Sequence, residues 1–297
     1  MRLNRIGKST LMASEIGLGC MSLGTDEAQA HRIIDEAIDL GVNYFDTADL
    51  YDAGLNEQFL GKALKPKRQS LIVATKVGNR IIPGQEGWIW DASKAYIIDA
   101  VKQSLRRLDT DYIDLYQLHG GMLEDNIDET IDAFEQLKQE GVIREYGISS
   151  IRPNVIREYV KRSNMISVMN QYSIVDRRAE EEVLPLLQQH QISVIARGPL
   201  ASGALATNRE PNKPVLDYSI ADLIELRTKL KALSPSLTQL AIRYSLQHPA
   251  VAVVVPGASS IAQLKSNVEA AMLPPLTDEE ISYIKQISKA NVYTVHR

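Results

Sequence analysis

Residues 71–119 carry the pattern from which the architecture of the chain is predicted. They begin with the apolar run LIVATK (71–76), continue with SKAYIIDAVKQSLRRL (93–108) and end with YIDLYQLH (112–119). The first and last runs are rich in Val, Ile, Leu or Tyr and have the length of buried parallel strands. The middle run has its apolar residues at helical spacing. The segment therefore predicts a strand, a helix and a second strand of one parallel sheet.

The same unit recurs about eight times along the chain. Predicted strands occupy residues 15–19, 42–46, 71–76, 112–119, 145–149, 166–171, 192–197 and 251–256. Predicted helices occupy residues 29–40, 57–64, 93–108, 127–140, 153–161, 179–189, 236–247 and 261–270. A mean spacing of roughly 35 residues suits a (β/α)8 barrel of about 250 residues. We therefore predict an α/β fold, a (β/α)8 TIM barrel, as a single domain over residues 1–297.

Three segments fall outside these units. Residues 1–14 resemble a short hairpin, residues 198–219 form a long segment after the seventh strand, and residues 277–290 predict an extra C-terminal helix. A doubly wound open sheet is the competing architecture, since it has the same alternation of strands and helices. Its phosphate-binding glycine turn is missing, however, because Ser22 occupies the third glycine position of the candidate motif at residues 17–22.

The composition of the chain excludes several classes of protein. Thirty-three Lys and Arg stand against 37 Asp and Glu, and no basic run suggests nucleic acid or anionic lipid as the main partner. No stretch approaches the ~20 consecutive apolar residues of a membrane span. The one cysteine, Cys20, favours a reducing compartment, and the five histidines have no metal-ligand spacing. We predict a cytoplasmic protein that acts on a small molecule and binds no metal, membrane or nucleic acid. The sequence leaves its oligomeric state open.

Four polar residues are candidates for chemistry. Asp46, Lys76 and His119 end three consecutive predicted strands, and Tyr51 follows Asp46 in the next loop. In a parallel barrel the carboxyl ends of all strands open on one face, so these side chains should converge. Lys76 would favour the phenolate of Tyr51, Asp46 would hold Lys76, and His119 would orient a substrate oxygen. Taken singly, each has a structural alternative, but together they predict proton transfer to a carbonyl oxygen.

A second group of polar residues lies at the ends of the fifth to eighth predicted strands. Their amide and hydroxyl groups could pair with a nicotinamide carboxamide, and the turn before residue 261 could offer backbone N–H groups to a phosphate. Helix capping by Ser259 or Ser260 explains that turn equally well. The group comprises Ser149, Ser150, Asn170, Gln171, Arg197, Gly198, Pro199, Gly257, Ala258 and Ser259.

Several motifs in combination resemble the aldo-keto reductase family. They are GVNYFDTA (41–48) followed by Tyr51 and Gly54, ATK (74–76), DYIDLYQLH (111–119), GISS (147–150), NQYS (170–173), GPLASG (198–203) and PGASS (256–260). The resemblance spans nearly the whole chain. It implies a (β/α)8 barrel that reduces aldehydes or ketones with NADPH. Tyr51 would be the proton donor, Lys76 and Asp46 would tune it, and His119 would orient the carbonyl.

The resemblance also implies a set of cofactor contacts, with three departures from the family pattern. Ser150 stands where many members have Asn, and Gln263 where some have Arg. Arg197 replaces an aromatic residue that often stacks on the nicotinamide, and its planar guanidinium could stack instead. The 2′-phosphate would then depend on Ser259, Ser260, Lys265, Arg209 or Lys213. The implied contacts are Ser149, Gln171, Arg197, Gly198, Pro199, Leu200, Ser202, Gly257, Ser259, Gln263 and Asn267.

Two other functions fit the same residues. A nucleotide-binding regulatory subunit, as in the potassium-channel β-subunits that share this barrel, would keep them with little turnover. An aldolase would use Lys76 as a Schiff-base nucleophile, although pairing with Asp46 favours a protonated lysine. The loop at residues 77–91, which contains Trp88 and Trp90, could wall the pocket together with residues 198–219. The sequence does not identify the substrate.

Overall fold

The barrel wall consists of eight parallel strands within the residues that the computed structural model describes, 1–82 and 84–297. Each strand pairs with the next along the chain, and the bridges Ile16↔Val254 and Gly19↔Gly257 close the first strand onto the last. The predicted barrel fold is thus confirmed. The strands are β1 (Leu18–Gly19), β2 (Tyr44–Asp46), β3 (Ile72–Val77), β4 (Ile113–Leu118), β5 (Ile143–Ser149), β6 (Ser167–Gln171), β7 (Ser193–Arg197) and β8 (Val251–Val255).

Helices surround the strands, as the apolar periodicity predicts. In the third helix Ile97, Val101 and Leu108 are buried, the side chain of Ser93 caps the start, and Asp109 ends the helix in a left-handed conformation. The helices in the described part of the chain are α1 (Glu27–Asp39), α2 (Leu55–Leu64), α3 (Lys94–Leu108), α4 (Ile127–Gln139), α5 (Pro153–Arg162), α6 (Val183–His190), α7 (Ile220–Leu230), α8 (Leu237–Leu246), α9 (Ile261–Glu269) and α10 (Asp278–Ile287).

The predicted N-terminal hairpin is present and plugs the barrel at the amino ends of the strands. Strands Leu3–Arg5 and Met12–Ser14 pair antiparallel. The side chain of Asn4 donates to the carbonyl oxygen of Ala252 at 2.9 Å, just at the start of β8. Ile6 and Leu11 are buried in one cluster with inward-facing residues of the barrel strands. The hairpin therefore completes the core inside the barrel and leaves the opposite end open.

Three further features complete the fold. The predicted C-terminal helix is α10, and Thr277 and Glu280 form a capping box at its start. Helix α7 and a small hairpin, Asn79–Arg80 with Ile89–Trp90, are additions that the sequence prediction missed. Among residues 1–82 and 84–297, no helix is both long and apolar enough to cross a membrane.

Candidate active site

The four candidate catalytic residues meet at the carboxyl ends of β2, β3 and β4. Asp46 is the last residue of β2, Lys76 lies near the end of β3, and His119 directly follows β4. Tyr51 begins a short turn after β2, Tyr51–Gly54, in which Asp52 has a left-handed conformation. All four line one cleft of about 1260 Å³. The structure thus brings together the residues that the barrel topology predicts to converge.

Asp46 and Lys76 form a buried ion pair in this cleft. The Lys76 Nζ donates to Asp46 Oδ1 at 2.6 Å and to the Thr47 carbonyl oxygen at 2.7 Å. The side chain of Asp46 is 7% exposed and that of Lys76 is 1% exposed. Burial alone would lower the pKa of Lys76, but the charge of Asp46 and the contact with Tyr51 raise it. Lys76 is therefore a cation held in a fixed position.

The phenol of Tyr51 is the third partner of this ammonium group. Its Oη lies 3.4 Å from Lys76 Nζ. Burial raises the pKa of Tyr51, and the positive charge of Lys76 only partly opposes this effect. From the sequence, Lys76 is predicted to favour the phenolate, whereas in this cleft the effect of burial on the Tyr51 pKa outweighs that of the lysine. Tyr51 is thus protonated at neutral pH, the state that a proton donor requires.

His119 completes the group in its neutral form. Its ring meets the Tyr51 ring edge to face, with 6.1 Å between the centroids. Burial, followed by the charges of Lys76 and Arg197, lowers the pKa of His119 to about 3. Its Nδ1 is buried without a hydrogen-bond partner in the described part of the chain. A neutral imidazole has one donor and one acceptor nitrogen, so His119 can bind a substrate oxygen without adding charge.

Trp90 is a cleft-lining residue that is held in a fixed position. Its ring lies so close to Gly78 and Gly120 that a Cβ on either would come within 2.7 or 2.9 Å of the indole. Its Nε1 donates to Asp125 Oδ1 at 2.8 Å, which links the loop after β3 to the loop after β4. Trp88 also lines the cleft and is half exposed. The hypothesis that this loop walls the pocket fits the placement of both tryptophans.

The sequence does not predict several other residues that line the cleft. Met21, Met122 and Arg152 line the same cavity, each in a loop that follows a barrel strand. Arg152 Nη1 donates to the Gly121 carbonyl oxygen at 3.0 Å. Their only sequence signal is their position shortly after a strand end, and many loop residues share that position.

The eleven predicted cofactor contacts also line this cleft, at and beyond the ends of β5 to β8. Arg197 Nη1 donates to Gln171 Oε1 at 3.0 Å, and Asn267 Nδ2 donates to the Gly257 carbonyl oxygen at 3.2 Å. Helix α9 begins at this wall, and its N-terminus favours a bound anion. The size of the cleft and its mixture of amide, guanidinium and helix-start groups fit a dinucleotide. The cofactor role of these residues stays a prediction.

The five residues predicted as possible contacts of the 2′-phosphate lie in different surroundings in the structure. Arg209 and Ser259 line the cleft. Lys265 forms an ion pair with Glu36 at 3.1 Å, Lys213 lines a separate small cavity, and the Ser260 side chain caps α9. Arg209 is therefore the cation among these five candidates that the structure places at the cleft. Across the described residues, no cluster of three or more His, Cys, Asp or Glu has the arrangement of a metal site.

The fold and the site together define a barrel oxidoreductase. The model of the Aldo/keto reductase family matches residues 15–289, and the chain belongs to this family. It is 56% identical, over the full length of both proteins, to the uncharacterized oxidoreductase YqkF of Bacillus subtilis. It is 32% identical to the L-galactose dehydrogenase of Arabidopsis thaliana, with 91% of this chain and 88% of that protein covered. The holo form of aldo-keto reductase AKR11C1 from Bacillus halodurans is 60% identical, with a TM-score of 0.97 over 100% of this chain and 99% of that one.

Proposed function

We propose that this oxidoreductase reduces aldehydes or ketones to alcohols with NADPH, and that Tyr51 is the general acid. The observation that carries the proposal is the placement of the Tyr51 hydroxyl 3.4 Å from Lys76, a cation that Asp46 holds in a large cleft. A protonated phenol beside a fixed positive charge suits the transfer of a proton to a carbonyl oxygen.

The chain's own residues divide the work between binding and proton transfer. NADPH, when bound, supplies a hydride to the carbonyl carbon. Ser149 and Gln171 would hold the nicotinamide carboxamide, while the residues at the start of α9 would face phosphate. His119 orients the carbonyl oxygen by a hydrogen bond and Tyr51 gives that oxygen its proton. Lys76 stabilises the phenolate that remains, until solvent returns a proton to Tyr51.

The cofactor preference is part of the proposal. We expect NADPH to bind more tightly than NADH by about tenfold, which corresponds to about 1.4 kcal/mol. Arg209 is the cleft-lining cation that can face the 2′-phosphate, and Ser259 supplies a hydroxyl at the start of α9. The relative from Bacillus halodurans is described in a holo form, which supports a bound cofactor. The lone buried cysteine supports a reducing, cytoplasmic location for the enzyme.

The aldolase alternative fits this site poorly. A Schiff-base lysine must lose its proton before it attacks a carbonyl, so its pKa has to fall. Here Asp46 raises the pKa of Lys76, and all three donors of the lysine are directed at protein oxygens. Borohydride trapping with a carbonyl substrate should therefore leave no covalent adduct on Lys76.

Binding and turnover should be measured separately. Fluorescence titration gives the Kd for NADPH, and loss of absorbance at 340 nm gives turnover with aliphatic and aromatic aldehydes and ketones. Binding with turnover that is lost in Tyr51→Phe supports the proposal. Tight binding without turnover on any substrate favours the regulatory subunit instead, and the absence of binding refutes both.

A further inference from the structure

The segment after the last helix, residues 289–297, is tied to three of the connections that follow barrel strands at the carboxyl end of the barrel. The backbone N–H of Asn154, in the first turn of α5, donates to the His296 carbonyl oxygen at 2.9 Å. The side chain of Asn291 donates to the Val175 carbonyl oxygen, after β6, at 2.9 Å. The same amide donates to Asp217, after β7, at 3.1 Å. The segment thus joins the start of α5 to the loops that follow β6 and β7.

Tyr293 is the residue of this segment that reaches a barrel strand. It is buried, and its hydroxyl donates to Asn170 Oδ1 at 3.4 Å. The guanidinium of Arg178 lies over its ring, 4.8 Å from the centroid. Asn170 is fully buried in β6, and its Nδ2 donates to the Ser150 carbonyl oxygen at 2.7 Å. A continuous path of hydrogen bonds therefore runs from Tyr293 through Asn170 to the end of β5.

Asn170 and Ser150, the two residues of this path that belong to the barrel wall, adjoin candidate cofactor contacts. Gln171 follows Asn170 in β6, and Ser149 precedes Ser150 at the end of β5. Successive side chains of a strand point to opposite faces. Asn170 can therefore bond to Tyr293 on one face of β6 while Gln171, the next residue on the same backbone, lines the cleft on the other. A shift of Asn170 would move Gln171 with it.

We propose that Tyr293, acting through Asn170, is a positioning residue that fixes the ends of β5 and β6 for the nicotinamide end of NADPH. The inference rests on the proposed function, since it needs NADPH to bind in this cleft. Replacement of Tyr293 by Phe removes the hydroxyl alone and leaves Asn170 Oδ1 without its donor. The net contribution of one neutral hydrogen bond corresponds to about a two- to tenfold change in an equilibrium constant, and a length of 3.4 Å favours the lower part of that range.

The test compares two ligands that share the adenine end. NADPH and 2′-phospho-ADP-ribose, which lacks the nicotinamide, are titrated against the wild-type chain and Tyr293→Phe. Tyr146→Phe is the matched control, because the Tyr146 hydroxyl is also bonded inside the protein, to Glu135, but does not line the cleft. Thermal unfolding of each variant is recorded alongside. We expect Tyr293→Phe to raise the Kd for NADPH about threefold, with the Kd for 2′-phospho-ADP-ribose unchanged, and Tyr146→Phe to change neither.

The outcomes separate the inference from the function on which it rests. A Tyr293→Phe variant that binds both ligands like the wild type, or that loses affinity for both equally, overturns the positioning role. A wild-type chain that fails to bind NADPH refutes the proposed function itself. Tyr293→Leu, which also removes the contact with Arg178, should weaken NADPH further while 2′-phospho-ADP-ribose again stays unchanged. An equal loss for both ligands in that variant would also count against the inference.

Discussion

Replacement of Lys76 by Met should destabilise the protein as well as inactivate it. The substitution keeps most of the volume of the side chain and removes its charge, so Asp46 loses the cation that lies 2.6 Å away. The side chain of Asp46 is only 7% exposed, so solvent stabilises its charge poorly once the ammonium group is gone. Breaking such a buried pair costs about 3 to 5 kcal/mol.

The loss of stability should depend on pH, because Asp46 becomes neutral when it binds a proton. Without Lys76, burial dominates and raises the pKa of Asp46 further than in the wild type. An acid whose pKa is raised by folding destabilises the protein increasingly as the pH climbs above its unfolded pKa of about 3.9, by at most about 1.36 kcal/mol per unit. Keeping the proton on Asp46 then costs more at pH 7 than at pH 5. We therefore expect a loss of about 3 to 5 kcal/mol at pH 7, as for a broken buried pair, and a smaller loss at pH 5.

Urea unfolding at both pH values measures this difference. Tyr51→Phe is the control, since it should impair activity without breaking the ion pair. The double variant Asp46→Asn with Lys76→Met should recover most of the lost stability, because no charge remains buried. Equal stabilities of Lys76→Met and Tyr51→Phe at pH 7 would refute the argument. So would a loss of stability in Lys76→Met that stays the same at pH 5.

Three further outcomes are expected of the proposed enzyme. Tyr51→Phe should lower carbonyl reduction at least about 10²-fold with little change in the Kd for NADPH, since the phenol contacts the reacting oxygen; near-normal turnover would remove Tyr51 from the mechanism. The preference for NADPH over NADH is measured as the ratio of the two Kd values at low salt. Arg209→Ala should reduce this ratio to near unity, whereas Lys265→Ala should leave it unchanged. Added salt should weaken the preference in the wild type. Because the pKa of His119 is about 3, kcat/KM should show no histidine inflection between about pH 5 and 8; an inflection near 6.5 that His119→Asn abolishes would contradict this prediction.

The sequence predicts the barrel and the convergence of its site residues for the same physical reason. Buried strands and amphipathic helices leave a periodic apolar signal, and a closed parallel sheet opens the ends of all its strands on one face. Asp46, Lys76 and His119 need no contact information beyond that topology. Helix α7 is absent from the prediction although Ser219 and Asp222 form a capping box at its start, because the preceding segment has the sequence of one long loop.

Other properties of the site depend on distances that the sequence does not contain. The sign of the Tyr51 pKa shift follows from burial, which outweighs a lysine 3.4 Å away, and the sequence indicates only the lysine. The bond between Trp90 and Asp125 joins two loops, and the contact between Tyr293 and Asn170 spans 123 residues. No local pattern marks either pair as partners.

The N-terminal hairpin has a consequence for folding during synthesis on the ribosome. Asn4 bonds to Ala252, 248 residues later in the chain. At about 5 to 20 residues per second, translation takes roughly 12 to 50 s to supply that partner. During this interval Ile6 and Leu11 have no barrel interior to enter, and the first strand has no last strand to close upon. The hairpin therefore cannot complete its contacts with the barrel, and the end that it plugs cannot be sealed, until β8 has been synthesised.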